Sequence, residues 1–171
     1  LDRVTHPWVL NIDADEQVSQ NLERDIKTIQ TGGAAEDGFY ILRQNFFLNK
    51  HIIHAGWGDD RPLRLFRREK TEVTDTQVHE GFIVDGPVGV ISSPLIHHTY
   101  TSLYQYFEKL NEYTSIEVRN RLRAHPERRI SWPHLLLAPL GAFWKLYVVK
   151  KGFLDGFHGL LLCILSSVSV M

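Results

Sequence analysis

The chain has 171 residues, 43% apolar and 23% charged, enough for one ordinary core and too evenly mixed for a disordered segment. Nineteen Lys and Arg stand against 20 Asp and Glu, a net charge of −1, so no global positive field exists to hold a nucleic-acid backbone, and no nucleic-acid partner is expected. The single cysteine, Cys163, can neither close an internal disulfide nor build a thiolate metal site, which favours a reducing compartment on the cytoplasmic side.

In chain order, Trp8-Val9-Leu10-Asn11-Ile12 reads as a buried strand, and nothing before it has the make-up of a signal peptide. A buried strand this early takes its neighbours from sequence on its N-terminal side, so the domain is expected to begin upstream of Leu1. The strand runs into Asp13-Ala14-Asp15-Glu16. Behind a cap at Ser19, Leu22, Ile26 and Ile29 recur at helical spacing, and Gly32-Gly33 closes that helix. Residues 38–43 and 46–54 are aromatic and β-branched runs split by Asn49-Lys50, the pattern of a hairpin, and residues 62–66 and 81–84 read as further short strands. A mixed sheet in an α/β domain follows. From Ser102 the pattern changes: Leu103, Phe107, Leu110 and Tyr113 give one apolar face to a long charged helix ending near His125-Pro126. Residues 135–149 and 153–171 are apolar, interrupted by Lys145, Lys150, Lys151, Asp155 and His158; the uncharged run at 159–171 is shorter than the roughly 20 residues of a membrane-spanning helix. With Trp144 and Tyr147 among the apolar side chains and lysines able to reach anionic headgroups, the tail is expected to attach to a membrane surface, the alternative being an ordinary packed hairpin. Two parts are therefore expected, residues 1–125 and a helical tail at 126–171.

Asp13 and Asp15 stand two apart where an apolar strand gives out, so in extended geometry their carboxylates project to one side and can share a cation. Hard divalent ions such as Mg²⁺ or Mn²⁺ often keep one or two protein carboxylates and leave their other positions for substrate phosphates. The plainer reading is a solvated turn with a helix-capping acid. His79-Glu80 suggests zinc-protease chemistry, but Ile83 occupies the position where the second histidine is needed, so that reading fails. Glu80 can instead serve as a general base for an acceptor hydroxyl, against the alternative of a surface glutamate after a strand. His97 and His98 precede the long helix; one of them completes a metal shell or merely bridges two layers by hydrogen bonds. Arg64, inside Leu63-Arg64-Leu65-Phe66, wants an anionic partner: a phosphate, or an internal carboxylate such as Asp59 or Asp60.

Taken together, Trp8-Val-Leu-Asn-Ile-Asp-Ala-Asp-Glu16, Gly38-Phe-Tyr-Ile-Leu-Arg43 with Asn45, Gly56-Trp57, Arg64-Leu-Phe66, Val78-His-Glu80, His97 with Tyr100, Lys109 with Tyr113, and Gly152-Phe-Leu-Asp-Gly156 resemble, in this order, family 2 glycosyltransferases of the lipopolysaccharide-core β-1,4-glucosyltransferase type. The resemblance implies the GT-A fold, Rossmann-like, here without the first half that holds the donor's base, so this piece alone is expected to be inactive. It assigns Asp13 and Asp15 to the metal and diphosphate, Asp15 ahead of Asp13 as direct ligand, and His97 to a metal or phosphate contact. Glu80 takes the position of the catalytic base, and Trp57, Arg64 and His79 join donor and acceptor binding. The implied reaction is inverting transfer of a hexose from a nucleoside-diphosphate sugar, UDP-glucose-like, to a lipid-linked saccharide such as lipopolysaccharide core, at the cytoplasmic face of a bacterial inner membrane. Two other readings compete. A non-catalytic partner domain would need none of the intact Asp13, Asp15 and Glu80, and a phosphate-ester hydrolase would want a hydroxyl residue after its nucleophile, where Gln17 and Val18 stand.

Overall fold

The computed structural model describes residues 4–74, 81–124 and 132–169. It is a mixed α/β fold, consistent with a Rossmann-like domain. In chain order come β1 (Trp8–Leu10), β2 (Glu16–Val18), α1 (Gln20–Gly32), β3 (Gly38–Phe47), β4 (Lys50–His51), β5 (Leu63–Arg67), β6 (Thr71–Thr74), β7 (Gly81–Val84), β8 (Val88–Tyr100), α2 (Leu103–Ala124), α3 (Trp132–Trp144) and α4 (Gly156–Val168). A six-stranded sheet has the order β1-β5-β3-β8-β2 with β4 on β3, and β6 and β7 form a separate antiparallel pair. The chain divides into two compact units, residues 1–44 with 59–97 and residues 45–58 with 98–171, so β3 and β8 each contribute residues to both. The boundary expected at 125/126 lies outside the described residues.

In the first unit, β5 runs antiparallel to both β1 and β3, placing Leu65 opposite Leu10 and Phe39. Leu22, Phe39, Ile41, Leu65, Ile91 and Leu95 form its core, onto which Ile26 and Ile29 of α1 pack. That helix follows its sequence signals closely. Ser19 Oγ accepts from the Leu22 amide at 3.2 Å, and Gly33 ends the helix in the left-handed conformation at φ 70° that glycine adopts without penalty. Strand β2 was not evident in the sequence: Glu-Gln-Val has no apolar alternation, and it becomes a strand by pairing antiparallel to β8, Glu16 opposite His97.

In the second unit, Leu48 and Asn49 both take positive φ, the geometry of a tight two-residue hairpin turn, and join β3 to a return strand of only two residues. The core gathers Phe47, Ile52, Ala55, Tyr106, Leu162 and Cys163. The inward face of α2 differs from the expected one: Tyr106 is buried and Leu110 packs beside it, while Phe107 and Tyr113 are exposed. Edge-on contact of the Tyr106 ring with Phe47 at 6.2 Å and its packing on Tyr100 at 4.8 Å select that face.

The Gly152-Phe-Leu-Asp-Gly156 segment has a structural explanation. Asp155, its side chain 5% exposed, accepts from the amides of Ile53 at 3.3 Å and His54 at 2.8 Å, and meets His54 Nδ1 at 3.1 Å. It thereby pins a turn in which Ala55 and Gly56 adopt positive φ. A Cβ at Gly152 would lie 2.6 Å from Cys163 Sγ, and one at Gly159 2.0 Å from the Gly152 carbonyl oxygen, so neither position admits a side chain. Asp155→Ala strands buried donors and is expected to cost about 3 kcal/mol, lowering the thermal midpoint by roughly 6–12 °C. Calorimetry checks this, and a shift of a degree or less would show the clamp to be incidental.

Candidate functional site

β1 delivers the chain into a turn rather than further extended backbone. The Glu16 amide donates to the Asp13 carbonyl at 3.0 Å, and the Glu16 carboxylate turns back to accept from the Asp13 amide at 2.9 Å. Asp13 pairs with Arg64 on β5, while the Asp15 carboxylate stands 3.5 Å from His97 Nε2 on β8.

Glu16 organises the cluster. Its side chain has no solvent exposure, and its Oε1 accepts from Arg64 at 2.7 Å and from Arg43 at 3.2 Å. Arg43 also reaches Asp60, at 2.6 Å. The partners of Arg64 are thus Asp13 and Glu16, not Asp59 or Asp60. Asp59 sits on the surface with Arg61, and Asp60 belongs to Arg43. Arg64 Nε is buried without an acceptor among the described residues.

The electrostatics follow from burial and this pairing. Burial opposes the charge on Arg43, but hydrogen bonds and charge from Asp60 and Glu16 outweigh it and hold the guanidinium above its ordinary value. Burial, followed by the charge of Arg43, pushes His97 below its ordinary 6.5, with Asp15, Glu16 and Asp60 offsetting only part of this. A neutral imidazole at physiological pH is the form that can ligate a metal. The carboxylates of Asp13, Asp15, Glu16 and Asp60 gather here with the guanidiniums of Arg43 and Arg64.

Asp15 offers an oxygen donor of the kind Mn²⁺ and Mg²⁺ take, ions that keep water and substrate phosphate in their other positions, and His97 beside it offers a nitrogen donor that Mn²⁺ accepts more readily than Mg²⁺. Asp13 and Glu16 are less available, being engaged with arginine. Among the described residues no group of three or more His, Cys, Asp or Glu side chains is arranged to hold an ion by itself. The structure therefore brings Asp13, Asp15, Arg64 and His97 together. Trp57 belongs to the second unit, where Asn45 Nδ2 donates to its carbonyl at 3.2 Å and its ring packs on Phe47 and Tyr100. His98 also lies there, its ring 5.5 Å from Phe46. His79 and Glu80 lie outside the described residues. The residues that sequence reasoning gave no role are Glu16 and Arg43. A hint was available in Arg43 and Arg64, two arginines each placed within a β-strand pattern and each needing an anion.

No protein-family model matches the chain. Over 179 residues it is 24% identical to the lipopolysaccharide core biosynthesis glycosyltransferase LpsC of Rhizobium meliloti, a match covering 99% of this chain and 66% of that protein. It is 25% identical over 170 residues to an uncharacterized glycosyltransferase of Rickettsia prowazekii, covering 89% of this chain and 55% of the relative. A third, from Rickettsia typhi, is 26% identical over 168 residues, with 89% and 55% covered. The chain's relatives are glycosyltransferases. The chain spans between about half and two thirds of the length of these relatives.

Proposed function

We propose that the protein takes part in inverting, metal-dependent transfer of a hexose from a nucleoside-diphosphate sugar, UDP-glucose-like, to a hydroxyl of a lipid-linked saccharide such as lipopolysaccharide core. The reading places the reaction at the cytoplasmic face of a membrane. The observation that carries it is the cluster at the end of β1, where His97 stands 3.5 Å from Asp15, in a chain whose relatives are named as glycosyltransferases. The named role of one relative, in lipopolysaccharide core biosynthesis, supports the choice of acceptor class.

In this reading Asp15 and His97 would hold Mg²⁺ or Mn²⁺, and Asp13, fixed by Arg64, shapes the turn beside them. When bound, such an ion neutralises charge that develops on a departing diphosphate. Glu80 takes the proton from the acceptor hydroxyl while that oxygen bonds to the anomeric carbon and the bond from this carbon to the diphosphate breaks. One direct displacement inverts the centre. Trp57 and His79 assist donor and acceptor binding.

The test, on the complete enzyme, is transfer from UDP-[¹³C]glucose to lipid-linked saccharide extracted from membranes, with the product's anomeric configuration read by NMR. A new glycosidic bond of configuration opposite to the donor's is expected. Retention of configuration, or release of free glucose with no transfer, would contradict the proposal.

A further inference from the structure

The segment that joins α3 to α4 passes through a π-helical turn (Lys145–Val149) and a 3₁₀ turn (Gly152–Asp155). Around this bend Trp144, Val149, Phe153, Leu154 and Phe157 all face solvent, Trp144 at 63% and Phe157 at 71% exposure. So many large apolar side chains on one short bend make the kind of patch that soluble surfaces rarely leave uncovered. The charge on the same bend has one sign. Lys145, Lys150 and Lys151 are exposed, and the only acid between residues 132 and 169, Asp155, is buried against His54. The helices on either side have 13 residues each. At 1.5 Å per residue each is about 20 Å long, short of the roughly 30 Å hydrocarbon core. No described helix is long and apolar enough to cross a membrane.

We infer that this bend is a docking tip that seats in one leaflet of an anionic bilayer, its aromatic and aliphatic side chains entering the interface and its three lysines meeting the headgroups. The inference deepens the membrane-surface part of the proposed function by naming the residues that make the contact. An apolar body with basic residues at its margin is the composition of interfacial, non-spanning anchors. Charge complementarity decides for anionic lipid over a second copy of the chain, because two such tips face to face would bring six lysines together with no acid between them.

Flotation of the protein with phosphatidylcholine vesicles, with and without phosphatidylglycerol, tests this. Recovery with the anionic vesicles is expected, weakening as salt is raised. The double substitution Trp144→Ser and Phe157→Ser should lower the partition coefficient at least tenfold on both kinds of vesicle. Replacing Lys145, Lys150 and Lys151 with glutamine should instead abolish the preference for phosphatidylglycerol. Both variants change exposed side chains, and an unaltered circular-dichroism melt verifies their fold. Failure of the wild type to float, flotation equal in wild type and double variant, or a dimer in sedimentation velocity that Phe157→Ser dissolves would each overturn the inference. UDP affinity, measured on the same samples, reports separately on the transferase reading.

Discussion

Glu16→Gln is expected to destabilise the protein by about 3 kcal/mol, toward the lower end of what removing one partner of a buried ion pair costs. The substitution keeps size and shape but removes the charge shared by two guanidiniums and turns one acceptor oxygen into an NH2 donor, whereas one oxygen of the wholly buried carboxylate holds the arginines and the other the Asp13 amide. Arg64 keeps Asp13 and Arg43 keeps Asp60, which is why the loss falls short of that for a fully orphaned charge. The functional consequence follows from the same bonds. Without the carboxylate the turn from Asp13 to Glu16 loses its side-chain closure, and affinity for a metal-dependent donor should fall along with stability. Urea unfolding monitored by tryptophan fluorescence would show a lower midpoint at unchanged slope. A loss under 1 kcal/mol would mean that packing, not charge, holds the cluster.

Glu80→Gln is expected to lower kcat by ~10²–10⁴ while leaving donor affinity close to wild type, because a base that touches only the acceptor proton contributes to the transition state alone. A sugar hydroxyl is a poor nucleophile at neutral pH, and removing basicity without altering shape isolates that contribution. Steady-state kinetics with varied donor, read beside direct donor binding, makes the separation. Turnover near wild type would remove Glu80 from the role. Ion pairing then ranks the replacements: Asp59 pairs with Arg61 on the surface and Asp60 is committed to Arg43, so Asp85 becomes the next candidate.

Those parts of the molecule whose signals are local were legible in the sequence. Helix α1 carries its cap at Ser19, its period in Leu22, Ile26 and Ile29 and its stop at Gly33, all within one short stretch. The run of carboxylates at the end of β1 was equally plain. What could not be read is long-range. By spacing alone Asp13 and Asp15 look alike, and in the structure they part company because Arg64, 51 residues away, takes one and His97 of β8 meets the other. The extent of β8 was hidden for a related reason: its 13 residues include glycine, two serines and a proline, and pairing rather than composition makes them a strand. In α2 several faces carry large apolar side chains, and the choice of Tyr106 over Phe107 was made by Phe47 and Tyr100, which no periodicity reveals.

The central claim is that the Asp15 and His97 pair takes a divalent cation and, with it, a nucleoside diphosphate. Calorimetric titration of the complete enzyme with UDP, once in Mn²⁺ and once in chelator, tests it most directly, with Asp15→Asn as the matched control. The account predicts binding that requires Mn²⁺ and that falls at least tenfold in the variant, because the lost carboxylate ligates the cation. Equal UDP affinity with and without the ion, or an Asp15→Asn protein that binds as the wild type does, would contradict it.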